Sequence, residues 1–572
     1  MTERLPPAPP DGPRLAYARG AARPRAIAWF GFSAFWGHLR HLVASAIATE
    51  NIDSRQWMVP DEPRELLARA LAVLGKDPSA ETFSAGMGGA VWIDFVADTG
   101  DDVTVSAAVA RLVAAPYVVA DPDEPERDLE LPRGDVLFLG GDLAYPVATV
   151  REIARRLVDP WNAVLRERND GRTRLLLGIP GNHDWYDGLD GFARLCQAPC
   201  AFEGARSGRE DERTSLALEH PVIAWAEAFR RGETVVKPNA LAFEGYVPAQ
   251  RASYFRLPLA RGLELFAVDR QLKLVDARQQ AYFAHDRPPR RFVIVPDPVR
   301  AWGELRPHGV ATQASLALEP ETHPTLILSG DVHHYERSAE GPSLHVVAGG
   351  GGAFLHGARV AGGAAYRIDA EFPGPKASWT LLKRLPWTTA TGGAGWLVVL
   401  AFALASGLGL WQYLAHGLWG ALPFATGASV VIAIATALLV GWRQRRAALV
   451  LPFALALGVF IGALPLGVGI AVDRIGADLF GAGAGARVAT LACAWLAATA
   501  SSNLAFGAML TLIARLGLNH AQPFAAMGAP CHRHFVRLRV RDDGRVDGWA
   551  IGLVDPVGDP RPVLVDAWRW GP

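Results

Sequence analysis

Four short polar clusters carry the residue types from which a metal-dependent hydrolytic site is built. They are Asp98-Thr-Gly100, Gly141-Asp142-Leu-Ala-Tyr145, Gly181-Asn182-His183-Asp184 and Gly330-Asp331-Val-His333-His334-Tyr335-Glu336-Arg337. Carboxylate, amide and imidazole groups are ligands for hard and borderline divalent cations. A glycine beside each cluster lets the backbone turn sharply. One such cluster carries little information. Four in chain order, each after an apolar run, point to one composite site.

The elements that must hold these clusters are legible around them. Apolar runs at 90–98, 135–142, 173–184, 263–268, 292–296, 325–330 and 344–348 predict strands, and the spacing at 62–75 and 148–168 predicts helices. Residues 121–131 read as an acidic loop, and about 199–250 as an inserted, partly helical excursion. Strands alternating with helices, with polar residues at strand ends, describe an α/β domain whose site lies at the carboxyl edges of the strands. Gly349–Gly352 follows a strand. It predicts a tight turn near the site rather than a phosphate loop, because no Lys or Ser/Thr follows in the required spacing. Two alternating runs flank Asp543-Gly544 in 530–572 and predict a β-hairpin that returns to pack on this domain.

The clusters resemble the motifs of the calcineurin-like metallophosphoesterase superfamily, in a style close to the purple acid phosphatases: D-x-G, G-D-x-x-Y, G-N-H-D/E and G-H-x-H-x-Y-E-R, over residues 90–355. The resemblance implies a two-sheet sandwich flanked by helices and a dinuclear metal centre. It implies that Asp142 bridges two divalent ions (Mn, Mg or Fe). Asp98 and His333 complete the first site with Tyr145, Asn182 binds the second, and His183, near the leaving-group oxygen, is the general acid or stabilises the transition state, oriented by Asp184. His334 and Arg337 would either add charge near the substrate phosphate or serve a structural role beside the site. The sequence departs from the pattern in three places. Gly100 stands where many members have His, and Asp331 replaces the first His of the last motif, while Pro296-Asp297-Pro298 lacks the expected His. The second site would then be ringed by Asp142, Asn182, Asp331 and Asp297. Such oxygen ligands favour Mg²⁺, Mn²⁺ or Ca²⁺ over Zn²⁺.

The rest of the chain is of a different kind. The 57 basic residues balance the 57 acidic ones, and mean hydropathy is +0.14. That balance argues against a nucleic-acid partner. Four cysteines are too few for a disulfide-built fold and fit a reducing compartment. Between Arg384 and Arg443, 58 residues pass without a formal charge. Apolar runs at about 394–415, 419–442, 447–472 and 488–514 are each long enough to cross a bilayer, which predicts four spans. Basic residues recur before the first, between the second and third, and after the fourth. By the positive-inside rule this puts both chain ends in the cytoplasm, on a plasma or inner membrane.

The expected organisation is a disordered arm (1–25), an N-terminal helical extension (26–89), a metallophosphoesterase domain (90–375), a transmembrane domain (387–515) and a cytoplasmic tail (516–572). Residues 26–37 are too short for a span and lack a cleavage site; they predict a buried helix or one lying on the bilayer. The expected function is membrane-anchored hydrolysis of a phosphomonoester, phosphodiester or pyrophosphate bond. The substrate would be a phosphorylated small molecule or a lipid-linked phosphate. Rival readings are a catalytically degenerate phospho-ligand sensor or scaffold, and regulation of a transport role of the spans.

Overall fold

The computed structural model describes residues 4–9, 59–198, 241–270, 275–284, 288–440, 447–481 and 483–571. The expectations for 10–37, for most of the 199–250 excursion and for Arg443, Arg445 and Arg446 lie outside the described residues.

The strands are β1 (Ala90–Val96), β2 (Tyr117–Ala120), β3 (Asp128–Leu131), β4 (Val136–Leu139), β5 (Arg174–Gly178), β6 (Tyr246–Pro248), β7 (Phe255–Ala260), β8 (Leu263–Ala267), β9 (Arg290–Val295), β10 (Arg300–Ala301), β11 (Glu304–Leu305), β12 (Thr325–Ser329), β13 (Tyr335–Glu340), β14 (Ser343–Ala348), β15 (Ala370–Phe372), β16 (Arg533–Arg541), β17 (Val546–Asp555) and β18 (Asp559–Trp570). They form two mixed seven-stranded sheets, ordered β18-β17-β16-β1-β4-β5-β6 and β15-β13-β14-β12-β9-β8-β7. Two small ribbons, β2-β3 and β10-β11, lie outside them; β3 takes up the end of the segment read as an acidic loop. In each large sheet four neighbouring strands are parallel: β1, β4, β5, β6 and β8, β9, β12, β14.

Alternation along the strands explains the layering. Val91, Ile93 and Phe95 of β1 join Leu257, Leu265, Ile294 and Leu328 of the other sheet in one buried core. Val96 faces the opposite way, into a second core with the helices Val103–Val113 and Asp159–Glu167. Both faces are therefore apolar, as parallel strands require. The chain is an α/β protein built on two face-to-face sheets, with helices against the outer faces. Asp102 starts one of those helices by accepting the Thr104 and Val105 N–H groups.

The expected C-terminal hairpin exists as β16 and β17, turning at Gly544 (φ 82°). It extends the first sheet directly, because β16 pairs antiparallel with β1. A third strand, β18, was not anticipated. Residues 4–9, expected to be disordered with the rest of 1–25, bond instead to it and to β2: Ala8 N–H to Leu564 O (2.9 Å), and Leu5 N–H to Val118 O (2.9 Å). A short bonded edge segment overrides the compositional signal there.

Three helices among the described residues are long and apolar enough to cross a membrane: α1 (Trp396–Val440), α2 (Ala447–Phe480) and α3 (Ala484–Arg515). Four were expected. The difference lies in α1, where 394–415 and 419–442 join without the expected loop. The break is one residue, Gly417, whose backbone is non-helical (φ 68°, ψ −163°). The chain reverses there, since a Cβ on Gly409 would lie 3.0 Å from the Phe424 ring. A positive φ is open to glycine at little cost, so one residue does the work of a loop. The connection expected at 473–487 is also shorter: Asp473 lies within α2 and pairs with Arg487 of α3 (2.7 Å).

Candidate functional site

The four clusters meet where the parallel strands of the two sheets end. Asp98 follows β1, Asp142 follows β4, Asn182 follows β5, and Asp331 and His333 follow β12. Asp98, Asn182, Asp142 and Asp331 line one narrow cleft with Asp297, which follows β9. The first two loops are zipped together: Asp98, Thr99 and Gly100 donate N–H groups to the carbonyls of Gly141, Asp142 and Leu143, each at 3.0 Å. A Cβ on Gly181 would come within 2.1 Å of Asp142 Oδ1, so only glycine lets these loops approach. Asp98 (φ 59°), Asp142 (φ 52°) and Asp331 (φ 62°) adopt left-handed backbone conformations. Each costs on the order of 1 kcal/mol, strain of the kind that concentrates at functional sites.

The Tyr145 phenol sits at the meeting point. Its oxygen is 3.0 Å from Asp98 Oδ1, 3.1 Å from Asp142 Oδ2 and 3.2 Å from His333 Nε2. One hydroxyl proton cannot serve both acids. Asp98 Oδ2 is buried without a hydrogen-bond partner. Burial, then repulsion from Asp142 and Asp331, holds the Asp98 carboxyl well above the usual range. Burial raises Asp142 to about 7, with Asp331 and Asp297 adding repulsion. Asp331 is raised to about 6 by burial and by Asp297. Burial and mutual repulsion thus disfavour the charged forms of these acids, a penalty that a bound cation would remove.

Two histidines are set for different tasks. His333 Nδ1 faces the Phe354 carbonyl (2.7 Å), which makes it the N–H nitrogen and leaves Nε2 as a lone pair toward Tyr145 and Asp98 (3.6 Å). That arrangement is typical of a metal-binding imidazole. Burial lowers His333 to about 3, so the ring is neutral at neutral pH. His183 Nδ1 faces the Pro146 carbonyl (2.7 Å), and its backbone N–H donates to Asp142 Oδ1 (2.8 Å).

Several expectations need correction. Asp184 does not orient the His183 ring. Its carboxylate accepts the N–H groups of Asp142 and Gly181 (2.8 Å each) and Leu143 (3.1 Å), so it holds the two loops together, and burial raises it to about 8. Arg337 does not face the cleft. It pairs with Asp566 of β18 (2.6 Å) and lies 3.6 Å from Asp369. His334 is fully buried against Glu336 (3.3 Å) behind the cleft. Asp297 is held by both arms of Arg270, one at 2.6 Å, and so has a cation already. Asn182 lines the cleft, its amide donating to Tyr186 OH (3.1 Å). Among the described residues, no group of three or more His, Cys, Asp or Glu forms a ready cage for a metal ion. The acids and His333 converge on a phenol instead.

The sequence reading missed Arg270, Arg306 and His356. Arg306 acts electrostatically on both Asp297 and Asp331, lowering each. His356 Nδ1 accepts the His333 backbone N–H (3.0 Å), and its ring stacks on the His333 ring at 4.2 Å. Asp269-Arg270, just after the apolar run 263–268, was the available signal for the first. Arg306 and His356 lie in loops and carry none. No protein-family model matches this chain, and no curated protein matches it.

Proposed function

We propose that this chain is a membrane-anchored, metal-dependent phosphoesterase of the calcineurin-like type. The observation that carries the reading is the convergence of three buried carboxylates at the strand ends, one with an oxygen lacking a hydrogen-bond partner, around a neutral imidazole. Asp98, Asp142 and His333, with Tyr145, would hold one divalent ion; Asp142, Asn182 and Asp331 would hold a second. Bound there, such ions supply a hydroxide nucleophile at neutral pH and offset phosphoryl charge. The protein's own groups do the rest. His183, with its Nδ1 proton committed to Pro146, keeps Nε2 as the nitrogen that exchanges a proton with the leaving-group oxygen. Asp184 keeps the Asp142 and Gly181 loops in register. The oxygen-rich second set suits Mn²⁺ or Mg²⁺ better than Zn²⁺.

The reversal at Gly417 supports counting the two arms of α1, 396–416 and 418–440, as separate spans, which gives four in all and both chain ends in the cytoplasm. The membrane is the inner or plasma membrane in this reading.

Turnover of p-nitrophenyl phosphate and its bis ester by the purified chain with Mn²⁺ or Mg²⁺ tests the activity. Loss of turnover in Asp142→Asn and His183→Ala supports it; absence of turnover with every divalent ion sinks it. One observation favours a second reading, a non-catalytic phospho-ligand sensor: Arg270 already neutralises Asp297, leaving the second ion one carboxylate fewer. Tight phosphate binding without turnover selects that alternative.

A further inference from the structure

The loop that fixes His333 is the loop that seats on the membrane helices. Ala353 donates its N–H to Asp98 O (2.9 Å), and Phe354 O accepts the His333 Nδ1 proton. The next residue, Leu355, is fully buried in a cluster with Leu381, Leu385, Met509, Ile513 and Phe524, at the end of α3 and its flanking helices. A Cβ on Gly357 would lie 2.0 Å from the Phe524 ring. Arg515, the last residue of α3, donates to Val360 O (3.4 Å). At about 3.4 Å per residue, the step from the Asp98 contact to the bundle contact is about 7 Å.

The same end of the bundle carries the marks of a headgroup layer. Lys376, Lys383, Arg384 and Arg515 are exposed there. Trp387 and Trp396 are 68% and 75% exposed, and exposed Trp beside Lys and Arg is the composition of a bilayer interface. Arg306 lies close enough to Asp331 for its charge to act on that carboxylate, which puts a positive group beside the cleft's acids. A site for a freely diffusing ester has no need of this position.

We propose that the substrate is a phosphate ester borne by a lipid of the membrane in which the bundle sits. The inference rests on the phosphoesterase reading and deepens it. Water oxygen bonds to phosphorus, the bond from phosphorus to the lipid oxygen breaks, and the water proton passes to that oxygen. The products are the lipid alcohol and phosphate, or a phosphomonoester from a diester.

The test uses the full chain in phosphatidylcholine nanodiscs with Mn²⁺. Dioleoylphosphatidic acid and dioleoylphosphatidylglycerol are each compared with their soluble headgroups, glycerol 3-phosphate and glycerophosphoglycerol, with p-nitrophenyl phosphate as reference. The expected result is a kcat/KM at least about tenfold higher for one lipid than for its headgroup, from confinement of both partners to one surface. Turnover of p-nitrophenyl phosphate with no preference for either lipid overturns the inference and leaves the phosphoesterase reading standing. Loss of turnover on every compound, the reference included, overturns both.

Discussion

Strand β1 and the loop after it bury two aspartates four residues apart, and their surroundings are opposite. Asp94, within the strand, is gripped by Arg537 of β16 through two hydrogen bonds (2.6 and 3.0 Å) and by the Gly134 N–H (2.9 Å). Arg537 spends its other donors on the carbonyls of Val113, Ala115 and Leu131. Asp98, at the strand's end, meets Asp142, a shared phenol and a neutral imidazole. Asp547 of β17 repeats the first pattern: burial raises it, but hydrogen bonds from Arg569, Arg541 and Arg539 bring it below the usual range. Burial alone therefore does not mark a functional acid. The two sets differ in whether an arginine stands beside the acid, and under the proposed function the acids without one are those that hold the ions.

That contrast breaks most sharply at Asp142. Asp142→Asn is expected to lower turnover of p-nitrophenyl phosphate by about 10³-fold or more while the protein stays folded; activity within tenfold of the parent would remove Asp142 from the site. Arg537→Met acts on the other side. It strands a fully buried carboxylate and is expected to cost about 3–5 kcal/mol, read from denaturant melts, with part of the loss recovered in Arg537→Met/Asp94→Leu. An unchanged melt would mean that the seam between β1 and β16 does not hold the fold.

His183→Ala is expected to cost about 10²-fold in turnover with little change in melting, and to cost least for esters with good leaving groups. Equal loss on all esters would assign it to binding instead. The smallest effects concern pH and the metal-free protein. Asp142 and Asp331 have folded values near 7 and 6 against about 3.8 unfolded. Their contribution to stability is therefore fully present below the unfolded value and is lost as pH rises through 6 and 7. Melting in chelator should fall between about pH 4 and 7, and Asp142→Asn/Asp331→Asn should flatten that fall; an identical pH slope in the double variant would show that these acids are not strained. Buried His532 and His534, lowered to about 3, act in reverse and cost stability as pH drops below about 6.5.

How much of this was legible depended on range in sequence. The strands at 90–98, 263–268, 292–296, 325–330 and 344–348, and the polar clusters at strand ends, were readable because strand periodicity and the turn that follows are local. Arg337 was misread for the same reason. It sits inside a polar cluster, yet strand alternation turns it to Asp566, 229 residues later. Asp184 was misassigned because a carboxylate next to a histidine looks like its partner, while the nearest unsatisfied groups were backbone N–H groups of two loops.

By itself the sequence determined the α/β character, the order of the polar clusters, the C-terminal hairpin and the presence of long apolar helices, all of which follow from patterns within about 20 residues. Only the tertiary structure decided that β16 closes onto β1 across the whole membrane block. It also decided that Arg270 neutralises Asp297, that Gly417 reverses a helix without a loop, and that one loop joins His333 to the bundle. The physical reason is that charge compensation and packing depend on which groups share a desolvated volume, and chain neighbours do not fix that.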